Sequence, residues 1–252
     1  MGKHSIRANK GIIIIAIIVI LVIIAITTFL FKKNQKSING ESIIEGIKID
    51  QTKITSKKTE RMLQLEELQK ENSDIIGYID IAGTNISYPI LQTTDNDFYM
   101  KKNYKKEYSK DGAIFLDKAY DFNKPSSNLL IYGHNNSNDQ MFCELLKYED
   151  ENFYNEHQTI RFTTNKEDAE YEIIAVLKSR VYYKSEKDVF RYYYFVDANN
   201  KEEFDEFVES SKKASLYDTG KTAEYGDQLM TLSTCSYHTE DGRFAVIARK
   251  KK

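Results

Sequence analysis

Gln228-Leu-Met-Thr-Leu-Ser-Thr-Cys235 and, after a short loop, Arg243-Phe-Ala-Val-Ile-Ala-Arg249 decide the fold of this 252-residue chain. Both runs are apolar and rich in strand-forming residues, and the Asp-Gly pair just before Arg243 is a strong turn signal. Because side chains alternate along a strand, Cys235 shares a face with Ser233. If the two strands pair antiparallel, Cys235 and Arg243 face each other with Cβ atoms about 5 Å apart. The spacing therefore predicts a hairpin whose mouth carries a thiol and a guanidinium.

Upstream of this hairpin, short β-branched and aromatic runs alternate with turn residues and a few helical patterns. The pattern predicts a mainly β fold, a small barrel with helical insertions. We expect a first hairpin over Ile76–Ile81 and Asn85–Leu91, and further strands at Ala113–Leu116, Asn128–Tyr132, Thr159–Thr163, Ala169–Leu177 and Tyr192–Val196. Helical periodicity predicts helices at Lys57–Asn72, Met141–Tyr148 and Asn200–Ala214, the last of them before the final strand pair.

The overall composition argues against several classes of partner. The formal net charge is only −2, so no long-range field favours nucleic acid, and we predict no nucleic-acid partner. The sequence has no metal-ligand cluster, no phosphate-binding glycine loop and no dinucleotide fingerprint, which predicts neither a metal nor a cofactor. Two cysteines are too few for a disulfide framework. A bridge between Cys143 and Cys235 would consume the thiol at the hairpin mouth, so we expect none.

The N-terminal part contains an uncharged run of 20 residues, Ile12–Phe31, long enough as a helix to cross a bilayer core of about 30 Å. It continues directly into Lys32-Lys33 without a small-residue cleavage site, unlike a cleaved signal peptide. We therefore predict a transmembrane signal-anchor at residues 11–31, a polar stalk at residues 32–56 and a folded domain at residues 57–252. Lysines on both sides of the span leave its orientation open.

A thiol nucleophile needs a proton carrier, and acyl transfer needs a group that stabilises the oxyanion. His134 follows the apolar run Asn128–Tyr132 and a glycine, so we expect it at the rim of a strand. Arg243 is permanently charged and carries several fixed donors, which suits the oxyanion. His238, three residues after Cys235, is the competing proton carrier. We favour His134 because a strand end holds geometry better than a loop.

Several residues also have plain structural interpretations. Cys235 can be a small buried hydrophobic side chain, and Arg243 can be a solvated strand end. Cys143 lies between apolar neighbours, which indicates the core. The aromatic run Val181–Phe195 either lines a substrate groove or packs against other strands.

Three stretches together resemble a known family: Thr231-Leu-Ser-Thr-Cys235, the following Arg243-Phe-Ala-Val-Ile-Ala, and Tyr132-Gly-His134. They resemble the sortases, membrane-anchored cysteine transpeptidases of Gram-positive bacteria, and the class B branch in particular. The helix at Asn200–Ala214 has the position of the class B helix between the sixth and seventh strands. The resemblance implies a closed eight-stranded sortase-type β-barrel. It also implies that residues 57–252 form a catalytic domain outside a single-pass cell membrane anchor, with residues 1–10 as a cytoplasmic tail.

The same resemblance implies roles for individual residues. Cys235 would attack a threonyl carbonyl in the C-terminal sorting signal of a secreted protein and form a thioester. His134 would carry the proton, Arg243 would steady the oxyanion or the substrate, and an amino group of peptidoglycan would resolve the thioester. Contacts with the sorting peptide are implied for Leu91, Ser233 and Thr234.

Two other functions stay open at this point. An L,D-transpeptidase of the cell wall also uses histidine and cysteine on a β-rich fold, but it resembles a Ser-x-Gly-Cys pattern, whereas Thr234 precedes the cysteine here. A non-catalytic surface module that binds a wall or host ligand is the second alternative. A buried, unreactive Cys235 would favour that module.

Overall fold

The computed structural model describes residues 59–136 and 139–252, and within them eight strands close into a barrel. The order around the barrel is β1-β2-β3-β4-β7-β8-β6-β5, and β5 returns to β1. The pairs β2/β3 and β4/β7 are parallel and the other neighbours are antiparallel. The strands are β1 (Ile75–Asp80), β2 (Ser87–Leu91), β3 (Ile114–Leu116), β4 (Asn128–Tyr132), β5 (Thr159–Thr163), β6 (Asp168–Arg180), β7 (Leu229–Cys235) and β8 (Gly242–Lys250). The predicted eight-stranded barrel is confirmed.

Helices cover the outside of the barrel and begin at polar caps. The first, α1 (Glu60–Glu71), starts at Thr59, whose hydroxyl accepts a hydrogen bond from the Met62 amide. The helix before the last strand pair, α3 (Lys201–Ala214), starts at Asn200 in the same way. Both helices were predicted from the sequence. A short helix α2 (Glu151–Glu156) and three 3₁₀ helices, Phe98–Met100, Cys143–Glu149 and Tyr192–Tyr194, complete the described elements.

Two sequence-based assignments differ from the structure. The stretch Tyr192–Val196, predicted as a strand, contains the 3₁₀ helix Tyr192–Tyr194 instead. Its aromatic density reflects packing on the outer face of the barrel, where Tyr192 is fully buried. The stretch Met141–Tyr148, predicted as a short amphipathic helix, forms the 3₁₀ helix Cys143–Glu149. Cys143 and Cys235 are both among the described residues, and no disulfide joins them.

Apolar side chains form three clusters. The largest fills the barrel and takes inward-facing residues from all eight strands. The second lies between α3 and the outer faces of β6, β7 and β8. The third packs α1 against β1, β2 and β3, through Leu65 and Leu68 on the helix and Tyr78, Leu91 and Phe115 on the strands. The barrel is therefore covered on two outer sides, by α3 and by α1.

In the described part of the chain, no helix has the length and apolarity that a bilayer crossing requires. The predicted tail at residues 1–10, the anchor at residues 11–31 and the stalk at residues 32–56 all lie outside the described residues.

Candidate active site

The parallel pairing of β4 and β7 brings the C-terminal ends of both strands to one rim of the barrel. Tyr132 is the register partner of Ser233, and one residue further the Gly133 amide donates to the Ser233 carbonyl at 3.1 Å. The Thr234 hydroxyl adds a second hydrogen bond at this position by donating to the Gly133 carbonyl at 2.7 Å. The backbone leaving β4 is therefore held against the end of β7, and His134 lies beside the cysteine strand.

The β7–β8 hairpin supplies the other two groups. Cys235 and Arg243 are register partners, as predicted from their spacing. The Ser236 amide donates to the Gly242 carbonyl at 2.9 Å and closes the loop base. A Cβ atom at Gly242 would lie 2.1 Å from the Ser236 carbonyl oxygen, so only glycine permits this approach. The thiol and the guanidinium consequently share the hairpin mouth.

These three side chains surround one cavity of about 290 Å³. His134, Cys235 and Arg243 are each half-buried, so they are neither core residues nor freely solvated. Ser233 and Thr234, both expected near the substrate, also line the cavity. The remaining lining residues are Asn96, Asp97, Met100, Phe115, Tyr132 and Gly133. In residues 59–136 and 139–252, no group of three or more His, Cys, Asp or Glu side chains could hold a metal ion.

Two residues singled out from the sequence lie away from this cavity. Leu91 is fully buried in the third cluster and is not among the lining residues. Its contact with a sorting peptide stays a prediction from the resemblance. His238 is exposed on the β7–β8 loop, with Nδ1 at 2.8 Å from the Ser236 hydroxyl, and it does not line the cavity. Of the two candidate proton carriers, the cavity therefore includes His134.

The His134 ring is held in a defined orientation. Its Nε2 lies 2.7 Å from the Met100 carbonyl oxygen, and because a carbonyl only accepts, Nε2 carries the proton. In the neutral ring, Nδ1 is then the nitrogen that can accept a proton. The ring packs against Gly112, where an added Cβ would lie 3.0 Å from the His134 Cδ2 and 2.7 Å from the Tyr99 carbonyl oxygen. Gly112 also has φ +59°, so a side chain there would strain the backbone as well.

The charge of Arg243 is available to a ligand. Its Nη1 donates to the Gly242 carbonyl at 2.9 Å and to the Asp241 carbonyl at 3.3 Å. In the described part of the chain no carboxylate lies within salt-bridge distance of this guanidinium. By contrast, Arg161, Arg180 and Arg249 are each paired with a carboxylate. A guanidinium held by backbone carbonyls keeps its remaining donors free for a developing negative charge.

One wall of the cavity was not found from the sequence. It comes from the connection between β2 and β3, which contributes Asn96, Asp97 and Met100. The buried Asp117 carboxylate accepts hydrogen bonds from the Tyr132 hydroxyl and the Asn96 amide, each at 2.9 Å, and fixes this wall. Burial, together with the Asp117 carboxylate, raises the pKa of Tyr132. The length of the connection between β2 and β3 could have indicated this wall, because connections longer than about 15 residues in a compact domain are often functional.

A second unexpected residue supports the cysteine strand from outside the barrel. The fully buried Tyr192 hydroxyl lies 2.7 Å from the Ser233 hydroxyl, two residues before the cysteine. Burial raises the pKa of Tyr192 to about 12, so its hydroxyl stays protonated at neutral pH. The aromatic run of the β6–α3 connection thus reaches the site through packing and a hydrogen bond.

Comparison with known proteins places the chain in a family. Residues 79–251 match the family model described as the Sortase domain. Sortase B of Listeria monocytogenes is 34% identical over 187 residues, covering 73% of this chain and 72% of the relative. Sortase B of Staphylococcus aureus is 27% identical over 241 residues, covering 94% and 93%. The crystal structure of sortase B from B. anthracis in complex with AAEK1 superposes with a TM-score of 0.71 at 31% identity, covering 88% of this chain and 98% of that one.

Proposed function

Because the chain belongs to the sortase family and, within it, to class B, we propose that its cavity cleaves a C-terminal sorting signal and transfers the protein to a peptidoglycan amino group. Family and fold support a sortase transpeptidase in general. Cleavage of a sorting signal in particular is supported by the convergence of a thiol, an imidazole and an unpaired guanidinium on one cavity. No metal or cofactor is needed for this chemistry.

In the first half-reaction the Cys235 sulfur forms a bond to the threonyl carbonyl carbon of the sorting signal. The thiol proton passes to His134, and the bond between that carbon and the following nitrogen then breaks. His134 delivers the proton to the leaving amine, and the acyl group remains on Cys235 as a thioester. The Met100 carbonyl accepts a hydrogen bond from Nε2 of His134, which holds the imidazole in one orientation for these proton transfers.

In the second half-reaction an amino group of peptidoglycan attacks the thioester carbon. A carbon–nitrogen bond forms, the attacking nitrogen gives its proton to His134, and the carbon–sulfur bond breaks. The proton returns to the sulfur, so the enzyme ends as it began. Each half-reaction passes through an oxyanion, and Arg243 donates hydrogen bonds to it from the opposite strand of the hairpin.

We propose that the sorting peptide lies in the cavity between the β2–β3 connection and the ends of β4 and β7. Ser233 and Thr234 form its floor beside the thiol, and Leu91 lies deeper in the third cluster. The volume of about 290 Å³ suits a few side chains of an extended peptide rather than a folded segment.

The test uses the full chain and a library of fluorogenic sorting peptides. Wild type should cleave a subset of them and accumulate a mass-shifted acyl-enzyme. Cys235→Ala should form no acyl-enzyme. His134→Ala should lose about 10²–10⁴ in kcat/KM and Arg243→Ala about 10²–10³. His238→Ala is the matched control, because it removes a histidine from the same rim outside the cavity, and it should stay near wild type. Full activity in His134→Ala with a dead His238→Ala would reverse the assignment of the proton carrier.

We further propose that residues 11–31 anchor the protein in the cell membrane, with residues 1–10 in the cytoplasm and residues 57–252 on the outer face. The support is the uncharged run Ile12–Phe31 and the location of the proposed substrates, which are secreted proteins and the cell wall. Added protease should digest residues 57–252 on intact protoplasts. A protected domain would contradict this orientation.

A further inference from the structure

The cavity contains one carboxylate that the proposed reaction does not use. Asp97 is the only Asp or Glu among the eleven residues that line it. Its side chain is exposed, and within residues 59–136 and 139–252 no basic side chain lies within salt-bridge distance of it. The negative charge of Asp97 is therefore available to a ligand that enters the cavity.

The backbone that carries Asp97 is fixed, and it is linked to the catalytic imidazole. The Asp95 carboxylate accepts hydrogen bonds from the amides of Asp97 at 2.8 Å and Phe98 at 2.7 Å. The Asp97 carbonyl accepts from the Met100 amide at 3.1 Å. The Met100 carbonyl in turn holds Nε2 of His134 at 2.7 Å. One short segment thus presents Asp97 to the cavity and orients His134.

The topology gives the cavity a negative end and a positive end. The strands that surround it follow each other in the order β2, β3, β4, β7 and β8. Asp97, on the β2–β3 connection, lies at one end of this series, and Arg243, at the start of β8, lies at the other. His134 follows β4 and Cys235 ends β7, so both lie between the two charges. Among the described residues, Asp97 and Arg243 do not form an ion pair, so each charge stays available at its own end.

The two nitrogens of the proposed reaction both pass through the end that contains His134. His134 gives a proton to the nitrogen that leaves and takes one from the nitrogen that attacks, so both occupy the same position beside the imidazole. The leaving nitrogen is an uncharged amide in the donor peptide. The attacking nitrogen belongs to a primary amine, which is mostly an ammonium ion at neutral pH. A carboxylate at this end therefore attracts the acceptor more strongly than the donor.

We propose that Asp97 binds the ammonium group of the acceptor and brings it next to His134 before it attacks the thioester. This inference rests on the proposed function and adds that the acceptor is recognised by its charge. The contact is a charge-assisted hydrogen bond between an ammonium and a carboxylate. When the nitrogen leaves Asp97 it releases one proton to water. The neutral amine then forms the bond to the thioester carbon and gives a second proton to His134, and the carbon–sulfur bond breaks.

A binding experiment tests this contact without turnover. The first probe is a short peptide with one free lysine side-chain amine, and the second is the same peptide with that amine acetylated. NMR titration measures the affinity of both probes for the full Cys235→Ala chain, with Asp97 intact and with Asp97→Asn. The intact chain should bind the free amine about two- to fivefold more tightly than the acetylated one, the range expected for a solvent-accessible ion pair. Asp97→Asn should remove this preference, and Asp97→Glu should retain it.

The matched control is Glu107→Gln. It removes one carboxylate from the same β2–β3 connection, but Glu107 is exposed, accepts from the Asn103 side-chain amide at 3.0 Å and does not line the cavity. Glu107→Gln should keep the full preference for the free amine. An equal loss of preference in both variants would assign the effect to the overall charge and overturn the proposal. An intact chain that binds both probes equally well would overturn it too.

The kinetic experiment compares two nucleophiles on the same acyl-enzyme. One is the peptide with the free lysine amine, and the other is hydroxylamine, which is uncharged at neutral pH. Asp97→Asn should lower kcat/KM for the amine peptide about two- to fivefold relative to kcat/KM for hydroxylamine. This ratio does not depend on how fast the acyl-enzyme forms. Equal losses with both nucleophiles would mean that Asp97 only supports the cavity wall, which would contradict the proposal.

The two experiments separate this inference from the proposed function. If no sorting peptide forms an acyl-enzyme, the proposed function fails, and the binding preference of the Cys235→Ala chain still decides whether Asp97 binds an ammonium. If the wild type transfers sorting peptides but Asp97→Asn keeps the preference for the free amine, the proposed function stands and the Asp97 proposal fails.

Discussion

At the scale of single residues, Asn135 connects the two halves of the catalytic rim. Its side chain is buried, and Nδ2 donates to the Cys235 carbonyl at 3.1 Å. The Tyr237 hydroxyl, from the loop after the cysteine, donates to the Asn135 carbonyl at 3.0 Å. Asn135 follows His134 in the chain and is hydrogen-bonded to the Cys235 backbone, so the separation of His134 and Cys235 depends on it.

We expect Asn135→Ala to lower kcat/KM for sorting-peptide cleavage about tenfold, the equivalent of one hydrogen bond of about 1.4 kcal/mol. KM should change little, because Asn135 does not line the cavity. Asn136→Ala is the control, since this exposed neighbour bonds instead to Asp111 at 2.9 Å. Steady-state kinetics on both variants checks the prediction, and an equal effect in Asn136→Ala would contradict it.

At the scale of elements, the neighbouring strands β6 and β8 are joined by a cluster of charged side chains at the rim opposite the active site. Glu172 on β6 lies 2.7 Å from Lys221 and also pairs with Arg249 on β8. The Lys221 and Arg249 hydrogen bonds lower the pKa of Glu172 below its usual range. A lowered folded-state pKa means that the ion pairs stabilise the fold above the unfolded-state pKa, and that this contribution is lost as the pH falls through the folded-state pKa.

Glu172→Gln should therefore reduce the free energy of unfolding at pH 7, and the difference from wild type should shrink as the pH falls through the lowered pKa of Glu172. Glu170→Gln is the matched control on the same strand, because its partner Lys251 and its own side chain are exposed. Urea unfolding at several pH values measures the difference. A gap between Glu172→Gln and wild type that does not change with pH would contradict the assignment.

Elements also show what the sequence could and could not predict. Alternation and turn residues identified the β7–β8 hairpin and the facing pair Cys235 and Arg243, because both depend on neighbours in sequence. The parallel pairing of β4 with β7 joins residues about 100 positions apart, and no local pattern encodes it. Tyr192 was misassigned because aromatic residues are frequent in strands, and only the fold shows that it packs on the outer face of the barrel from a 3₁₀ helix.

At the scale of the whole molecule, the first helix, α1, belongs to the same packed cluster as a side chain that lines the cavity. Leu65 of α1 is fully buried in the third cluster together with Phe115 of β3. Phe115 also lines the cavity, so the cluster under the helix and the substrate site share a side chain. Packing of the first helix should therefore affect substrate binding as well as stability.

We expect Leu65→Ala to cost about 2–5 kcal/mol of unfolding free energy and also to raise KM for the sorting peptide, because the cavity left behind lets Phe115 shift. Leu177→Ala is the matched control. Leu177 is also fully buried, but it belongs to the second cluster between α3 and the barrel. It should cost a similar amount of stability and leave KM unchanged at temperatures where both variants are folded. Thermal unfolding and peptide kinetics separate the two effects, and a KM that rises equally in both variants would mean that global loosening, not the shared Phe115, couples α1 to the site.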